Sequence, residues 1–198
     1  MDLEKEMIKR ISNWDFKNRF DNENSKQLLE IGFREGFKQG AQLLQETKKI
    51  IWCENNLSVT HFRNGDEIFH AKTAHEFYKA GKSGKAAFCQ YNNSSENGIK
   101  YGKLYNWYAV NDPRGLATDG YHIPTDEEMN NFENAPNALS GGYSYGGSFY
   151  SVGYYGYWWS ATEHGGDAWF RYLYYTEARV GRYAHNKSYG FSVRCVKN

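Results

Sequence analysis

The amino-acid sequence predicts an α+β protein in which a helical N-terminal segment (residues 1–49) precedes a domain of short, irregular antiparallel strands (residues 50–198). Apolar residues recur every three or four positions between residues 25 and 44, which is the period of a helix. From residue 50, short apolar runs alternate with clusters of Asn, Gly and Asp, which are typical of turns. Side chains of residues 169–176 alternate with the period of two that is expected of a strand with one buried face.

The N-terminal segment contains the main predicted helix. Its apolar stripe is formed by Leu29, Phe33, Phe37, Ala41 and Leu44. Asn24 or Ser25 is expected to cap it, because a short oxygen-bearing side chain accepts hydrogen bonds from the free N–H groups of a first turn. Gly32, Gly36 and Gly40 lie four residues apart, although each costs about 1 kcal/mol relative to Ala. They indicate either close approach of helices from different subunits or packing on the same domain. We expect this segment to attach the protein to a partner or to form a homo-oligomer.

Two further elements are predicted in the second domain, a helix in its middle and a strand at its end. Thr125 is a good N-cap, and we interpret the three acidic residues after it as acids that suit the positive end of a helix dipole. This helix should run to about Glu133 and end near Pro136. Residues 191–195 are predicted to form a closing strand whose apolar side chains point inward while its Ser and Arg side chains point outward.

Charge and composition argue against several classes of protein. Lys and Arg total 24 against 23 for Asp and Glu, whereas a nucleic-acid-binding protein usually has a basic excess on one face. We therefore expect no nucleic-acid partner. Cys53, Cys89 and Cys195 lack the CxxC-type spacing of a zinc site. We interpret them as free thiols in a reducing compartment, with one disulfide and a spare thiol as the alternative.

The sequence shows no sign of export or membrane insertion. Its first residues lack the basic and apolar stretches of a secretory signal. No run approaches the roughly 18 apolar residues of a membrane span. We expect no membrane partner and a location in the cytoplasm or in a phage particle.

Several motifs resemble a known family. Arranged in chain order, they are Asn56–Asp66, Tyr101–Val110, Gly120–Asp126, Tyr157–Glu163 and Lys187–Val196. Together they resemble the Fibrobacter succinogenes major paralogous domain family, which is common in Bacteroidetes. The resemblance covers about residues 50–198 and does not include the helical N-terminus.

The resemblance implies a C-type-lectin-like fold of the formylglycine-generating-enzyme branch, with irregular strands and neighbouring terminal strands. In that fold Trp158 and Trp159 would anchor the core, and the segment from Gly190 to Cys195 would close the domain. The same fold carries the variable proteins of diversity-generating retroelements, which keep a fixed scaffold and vary side chains near the C-terminus. Replacement of the adenines in Asn codons produces that variation.

Tyrosine is concentrated where such variation would occur. Residues 141–189 hold 11 of the 17 Tyr residues. Tyr, Ser, His, Asp, Gly and Ala can all descend from an Asn codon, and Tyr offers a large, rigid contact surface with a polar tip. The predicted ligand-binding residues are Tyr143, Tyr145, Tyr150, Tyr154, Tyr155, His164, Phe170, Tyr172, Tyr174, Tyr175, Arg179, Tyr183 and His185. The alternative is that Tyr simply favours strands.

Other chemistry implied by the fold is not supported by this sequence. A sulfatase-modifying enzyme would require redox-active cysteines before the closing strand, and residues 169–186 contain none. Cys195 is predicted to be structural. Calcium requires several converging oxygen ligands, whereas residues 141–198 contain only three acidic residues. His122 is expected to hydrogen-bond near the helix start. We therefore predict no catalytic residue, no metal and no cofactor.

The sequence thus favours a binding protein over an enzyme. The first hypothesis is a display protein whose variable, tyrosine-rich C-terminal face binds a protein or glycan. Arg171, Arg179 and Arg182 could form a mixed aromatic and basic patch with the tyrosines, of the kind that binds single-stranded nucleic acid, but six basic against three acidic residues in 141–198 is a weak excess. The second is a structural or assembly protein of a phage or cell envelope with a fixed surface. The third is an enzyme whose site the sequence does not reveal.

Overall fold

The computed structural model describes residues 50–174 and 179–198, together with Gly32, Glu35 and Gly36. The chain divides into two units, Met1–Lys49 and Ile50–Asn198, and all elements below belong to the second. Gly32, Glu35 and Gly36 are helical. The rest of the predicted N-terminal helix lies outside the described residues. No helix in the described part of the chain is both long enough and apolar enough to cross a membrane.

The described domain has three α-helices, and each begins at a capped residue. They are α1 (Ala74–Lys82), α2 (Ser95–Tyr101) and α3 (Trp107–Val110). Thr73 accepts the Glu76 N–H at 3.1 Å, and the Glu76 carboxylate accepts the N–H of Lys72 at 2.7 Å. Asn106 caps α3 by accepting the N–H of Ala109 at 3.1 Å. These side chains satisfy N–H groups that a first turn leaves without partners.

Four small sheets complete the domain. The first contains β1 (Phe69–His70), β2 (Ala87–Cys89) and β3 (Leu104–Tyr105), with β1 and β2 parallel. The second and third are antiparallel pairs, β4 (Tyr121–His122) with β10 (Val196–Lys197), and β5 (Tyr143–Tyr145) with β6 (Ser148–Tyr150). The largest is the antiparallel meander of β7 (Tyr155–His164), β8 (Asp167–Tyr174) and β9 (Val180–Asn186). The α+β class predicted from the sequence is confirmed.

Strand β7 passes through the middle of the domain. Trp158 and Trp159 are both 0% exposed, as predicted. Successive side chains of a strand point to opposite sides, so each indole enters a different apolar cluster. The Trp159 ring lies 4.3 Å from Phe191, and the Trp158 ring lies 4.7 Å from Phe132. At Trp158 and Trp159, both faces of the meander are therefore covered by apolar side chains.

The closing segment does not alternate as predicted. Residues 191–196 are all buried, including the Ser and Arg that were expected to face solvent. The segment has neighbours on both edges, because Trp159 donates its N–H to Ser192 at 3.1 Å and Leu57 donates its N–H to Val193 at 2.8 Å. Residues 51–57 and 192–197 thus run side by side, in agreement with the expectation of neighbouring terminal strands.

Arg194 is 0% exposed and keeps its charge inside by hydrogen bonding. It donates to Asn56 Oδ1 at 2.8 and 3.0 Å. It also donates to the backbone carbonyls of Cys53, Glu54, Pro136 and Asn137. A buried charge is tolerated only when its donors are hydrogen-bonded. These hydrogen bonds therefore hold the first residues of the domain against its last segment.

The helix predicted at Thr125 is present but is a 3-10 helix, Glu128–Asn134. Thr125 Oγ1 accepts the Glu128 N–H at 3.2 Å, and the Glu128 carboxylate accepts the Thr125 N–H at 2.9 Å. This is a capping box. His122 Nε2 lies 3.0 Å from Glu128 Oε1, as expected for a histidine near the helix start.

Candidate functional site

Strands β7, β8 and β9 place their tyrosines on one face of the meander. Tyr155 lies opposite Tyr174, and Tyr157 lies opposite Tyr172. Tyr183 of β9 lies opposite a residue of β8 on the same face. Directly opposed residues of an antiparallel pair share a face, so the strand period and the register together align these rings.

The β5–β6 hairpin and Tyr189 extend the row of rings beyond the meander. The Tyr143 ring lies 5.0 Å from Tyr157 and 5.1 Å from Tyr150. Tyr145 stacks on Tyr189 with 4.0 Å between ring centroids and 12° between planes. The connected surface, called the tyrosine face below, consists of Tyr143, Tyr145, Tyr150, Tyr155, Tyr157, Tyr172, Tyr174, Tyr183, His185 and Tyr189.

The tyrosine face has an exposed outer part and a buried inner part. Tyr183 is 64% exposed, Tyr145 43% and Tyr150 42%. Tyr189 is only 9% exposed and lies 5.7 Å from the buried ring of Phe191. Rings that are packed from below lose little conformational entropy when a ligand binds. The outer tyrosines are thus presented on a rigid base.

The tyrosine face carries no formal charge at neutral pH. Burial raises the pKa of Tyr157 to about 12, and the neighbouring tyrosine hydroxyls add to this effect. Burial also lowers the pKa of His185 below its usual value, although Asp167 opposes the shift. None of the other members of the face is an acidic or basic residue. The surface is therefore suited to ligands that are apolar or neutral and polar.

Eight of the thirteen predicted residues lie on the tyrosine face: Tyr143, Tyr145, Tyr150, Tyr155, Tyr172, Tyr174, Tyr183 and His185. Phe170 was wrongly predicted as a contact residue, because it is 4% exposed and packs 4.8 Å from Phe191 beneath the face. Its ring packs under the tyrosines and is not available for contact with a ligand.

The other predicted residues lie elsewhere. Tyr154 is 59% exposed in the turn before β7. His164 is exposed at the end of β7, with its ring 4.3 Å from Trp169. Arg179 is exposed just before β9. Tyr175 lies outside the described residues.

Two central members of the tyrosine face, Tyr157 and Tyr189, were missed as contact residues. The signal for Tyr157 was present in the sequence, because it lies two positions from Tyr155 and strand side chains repeat every two residues. Tyr189 had no local signal, since the loop before the closing segment places it beside the hairpin.

The opposite face of the meander holds an ion-pair cluster. Asp126 accepts from Arg171 Nη1 at 2.5 Å and from Arg182 Nη2 at 2.7 Å. Arg171 is 3% exposed, and the guanidinium of Arg182 lies 3.5 Å from the Trp169 ring centroid. Asp126 therefore pairs with two arginines rather than acting only as an acid at a helix start. Arg171 and Arg182 form no patch with the tyrosines, which corrects that expectation.

The three cysteines are free, and Cys89 and Cys195 are buried. Burial raises the pKa of Cys195 to about 12 and that of Cys89 well above its usual value. Cys195 is 2% exposed, in line with its predicted structural role. Within residues 50–174 and 179–198, no group of three or more His, Cys, Asp or Glu side chains is placed to hold a metal ion.

The motifs in the first half of the domain belong to a region that matches a known family. Residues 47–138 match the family model of the Fibrobacter succinogenes major domain. This match supports the predicted family and includes three of its motifs, Asn56–Asp66, Tyr101–Val110 and Gly120–Asp126. The tyrosine face lies C-terminal to the matched residues. No curated protein and no solved structure matches the chain.

Proposed function

We propose that the protein is a ligand-binding display protein and that the tyrosine face is its contact surface, with a protein or glycan as the ligand. The observation that carries the proposal is the continuity of the face, whose rings form one connected surface with exposed outer members. Isolated exposed aromatic residues are ordinary, but a contiguous aromatic surface is typical of interaction sites.

The chemistry of the face supports recognition rather than catalysis. Tyr is enriched among residues that contribute most to binding energy, because it combines a large apolar ring with a polar hydroxyl. His185, whose ring lies 3.8 Å from Tyr189, is the one member of the face that can act as an acid or base near neutral pH, and the face holds no second such group beside it. We therefore propose a binding role without a catalytic step.

A pair of exposed tyrosines tests this role. Tyr150 on β6 and Tyr183 on β9 are more than 40% exposed, so replacing both by Ser should lower the free energy of unfolding by less than about 1 kcal/mol. The full chain is applied to glycan arrays and to arrays of bacterial surface proteins. The double variant should bind any ligand of the wild type at least about tenfold more weakly.

The matched control is Tyr108→Ser, which makes the same chemical change at a half-buried tyrosine whose ring lies beside Gly84. This variant should bind like the wild type. Equal binding by the double variant and the wild type would contradict the proposal, and so would an equal loss in the Tyr108→Ser control.

We further propose that the face is diversified by a retroelement on a C-type-lectin-like scaffold. The residue types that an Asn codon can yield lie on the exposed face, whereas Trp159 and Phe191 are buried beneath it and Trp158 is buried on the other side of the meander. Diversification predicts that exposed and buried positions differ sharply in variability among copies of the gene.

A fixed-surface assembly protein is the competing proposal. It is favoured by the close stacking of Tyr145 on the nearly buried Tyr189, since rings that stabilise the domain are not free to vary. Under this proposal the face would contact one constant partner.

A further inference from the structure

A polar cleft lies apart from the tyrosine face. Its walls come from Asn55, Asn56 and Ser58, from Gln90, from residues 95 and 98–103 in and just after α2, and from Asn137 and Leu139. Its volume is about 320 Å³, which is at the lower end of the range for small-molecule sites.

The charge of the cleft is positive. Among the described residues that line it, Lys100 and Lys103 are the only charged ones, and none is a carboxylate. Lys103 is only 9% exposed, and its Nζ donates to the Ser58 carbonyl at 2.5 Å and to Ser58 Oγ at 2.8 Å. No carboxylate in the described part of the chain lies within ion-pair distance of Lys103. Burial without a counter-ion lowers the pKa of this lysine, and a bound anion would offset that cost.

Two amide side chains line the same cleft as Lys103. Gln90 and Asn55 line the cleft, and their side-chain amides have no hydrogen-bond partner within the described residues. Gly98 makes room for Gln90, because a Cβ at Gly98 would lie 2.3 Å from Gln90 Nε2. Amides can donate to and accept from the hydroxyl groups of a ligand.

The rim of the cleft is apolar. Ile99 is 89% exposed and Leu139 is 42% exposed, and both line the opening. A buried cation, two amides in the lining and aliphatic side chains at the rim together fit a ligand with one anionic group on an uncharged body.

We propose that this cleft binds a small organic anion about the size of one sugar, with Lys103 at the anionic group and Gln90 and Asn55 at the neutral polar groups. The proposal does not depend on the function of the tyrosine face. Carboxylates and phosphate esters share the required chemistry, so the experiment includes one of each.

The test uses calorimetric titration of the full chain with glucuronate, glucose 6-phosphate and, as the neutral probe, glucose. At least one of the two anions should bind at least about tenfold more tightly than glucose. Lys103→Met keeps the aliphatic stem and should weaken anion binding at least about tenfold, because a charge-assisted hydrogen bond is lost. Gln90→Ala should also weaken binding of the anion. If Lys103→Met does not fold, the result for Gln90→Ala alone tests the proposal.

The matched control is Lys82→Met, which removes a positive charge at the exposed end of α1 outside the cleft. This variant should bind the anion as the wild type does. The proposal is overturned if neither anion binds more tightly than glucose. It is also overturned if the cleft variants bind like the wild type, or if Lys82→Met weakens binding as much as they do.

Discussion

Replacement of Asp126 by Asn should lower the free energy of unfolding by about 2–3 kcal/mol. Breaking a buried ion pair typically costs about 3–5 kcal/mol, because one charge remains in the interior without its partner. Two features reduce the cost here. Arg171 keeps the Asp126 carbonyl at 2.7 Å and Asn130 Oδ1 at 3.0 Å as acceptors, and Arg182 is 46% exposed, so water can solvate it.

The measurement is urea denaturation of the wild type, Asp126→Asn and the matched control Asp119→Asn. Asp119 pairs with Arg63 at 3.3 Å, but its side chain is 90% exposed. An exposed pair contributes about 0–1 kcal/mol, so the control should change stability much less. A loss below about 1 kcal/mol in Asp126→Asn, or an equal loss in both variants, would refute the assignment of a structural role to this cluster.

The same cluster should make stability depend on pH. Burial alone would raise the pKa of Asp126, but hydrogen bonds from Arg182 and Arg171 outweigh it and lower the pKa. A carboxyl whose pKa is lower in the folded state stabilises above its unfolded pKa of about 3.9, and this contribution is lost as pH falls through the folded pKa. The stability difference between wild type and Asp126→Asn should therefore be constant above about pH 5 and shrink below about pH 4.

Two further predictions follow from the packing. Gly181→Ala should lower the free energy of unfolding by about 1–3 kcal/mol and shift the Tyr172 ring, because the new Cβ would lie 2.1 Å from that ring. The control is Gly166→Ala, where the new Cβ would enter open space. Equal, small losses of stability in the two variants would show that the Tyr172 ring does not pack against Gly181. Iodoacetamide at about pH 8 should modify Cys89 and Cys195 only in denaturant, since a thiol with a raised pKa forms little thiolate. Rapid labelling of the folded protein in a mass-spectrometric time course would contradict their burial.

The features that the sequence predicted correctly depend on neighbours along the chain. The capping box at Thr125 and Glu128 is a local pattern. The family resemblance implied that the adjacent Trp158 and Trp159 anchor the core, and both are 0% exposed. The strand period of two alone places Tyr172 and Tyr174 on one face, without knowledge of the strands beside them.

The features that the sequence did not reveal depend on distant contacts. Asp126 meets Arg171 and Arg182 from 45 and 56 positions away. Arg194 is buried because residues 53–56, more than 130 positions earlier, supply its acceptors. Phe170 shows the limit of periodicity, which identifies a face but does not show whether the rest of the fold covers a given position of it.

Deep sequencing of the 3′ coding region from a natural population of the source tests the central claim most directly. If the tyrosine face is a diversified recognition surface, substitutions should be confined to adenine-bearing codons and should include the exposed positions Tyr145, Tyr150 and Tyr183. The codons of Trp158 and Trp159 should be invariant. An unvarying tyrosine face, or variation spread equally over exposed and buried codons, would contradict the account.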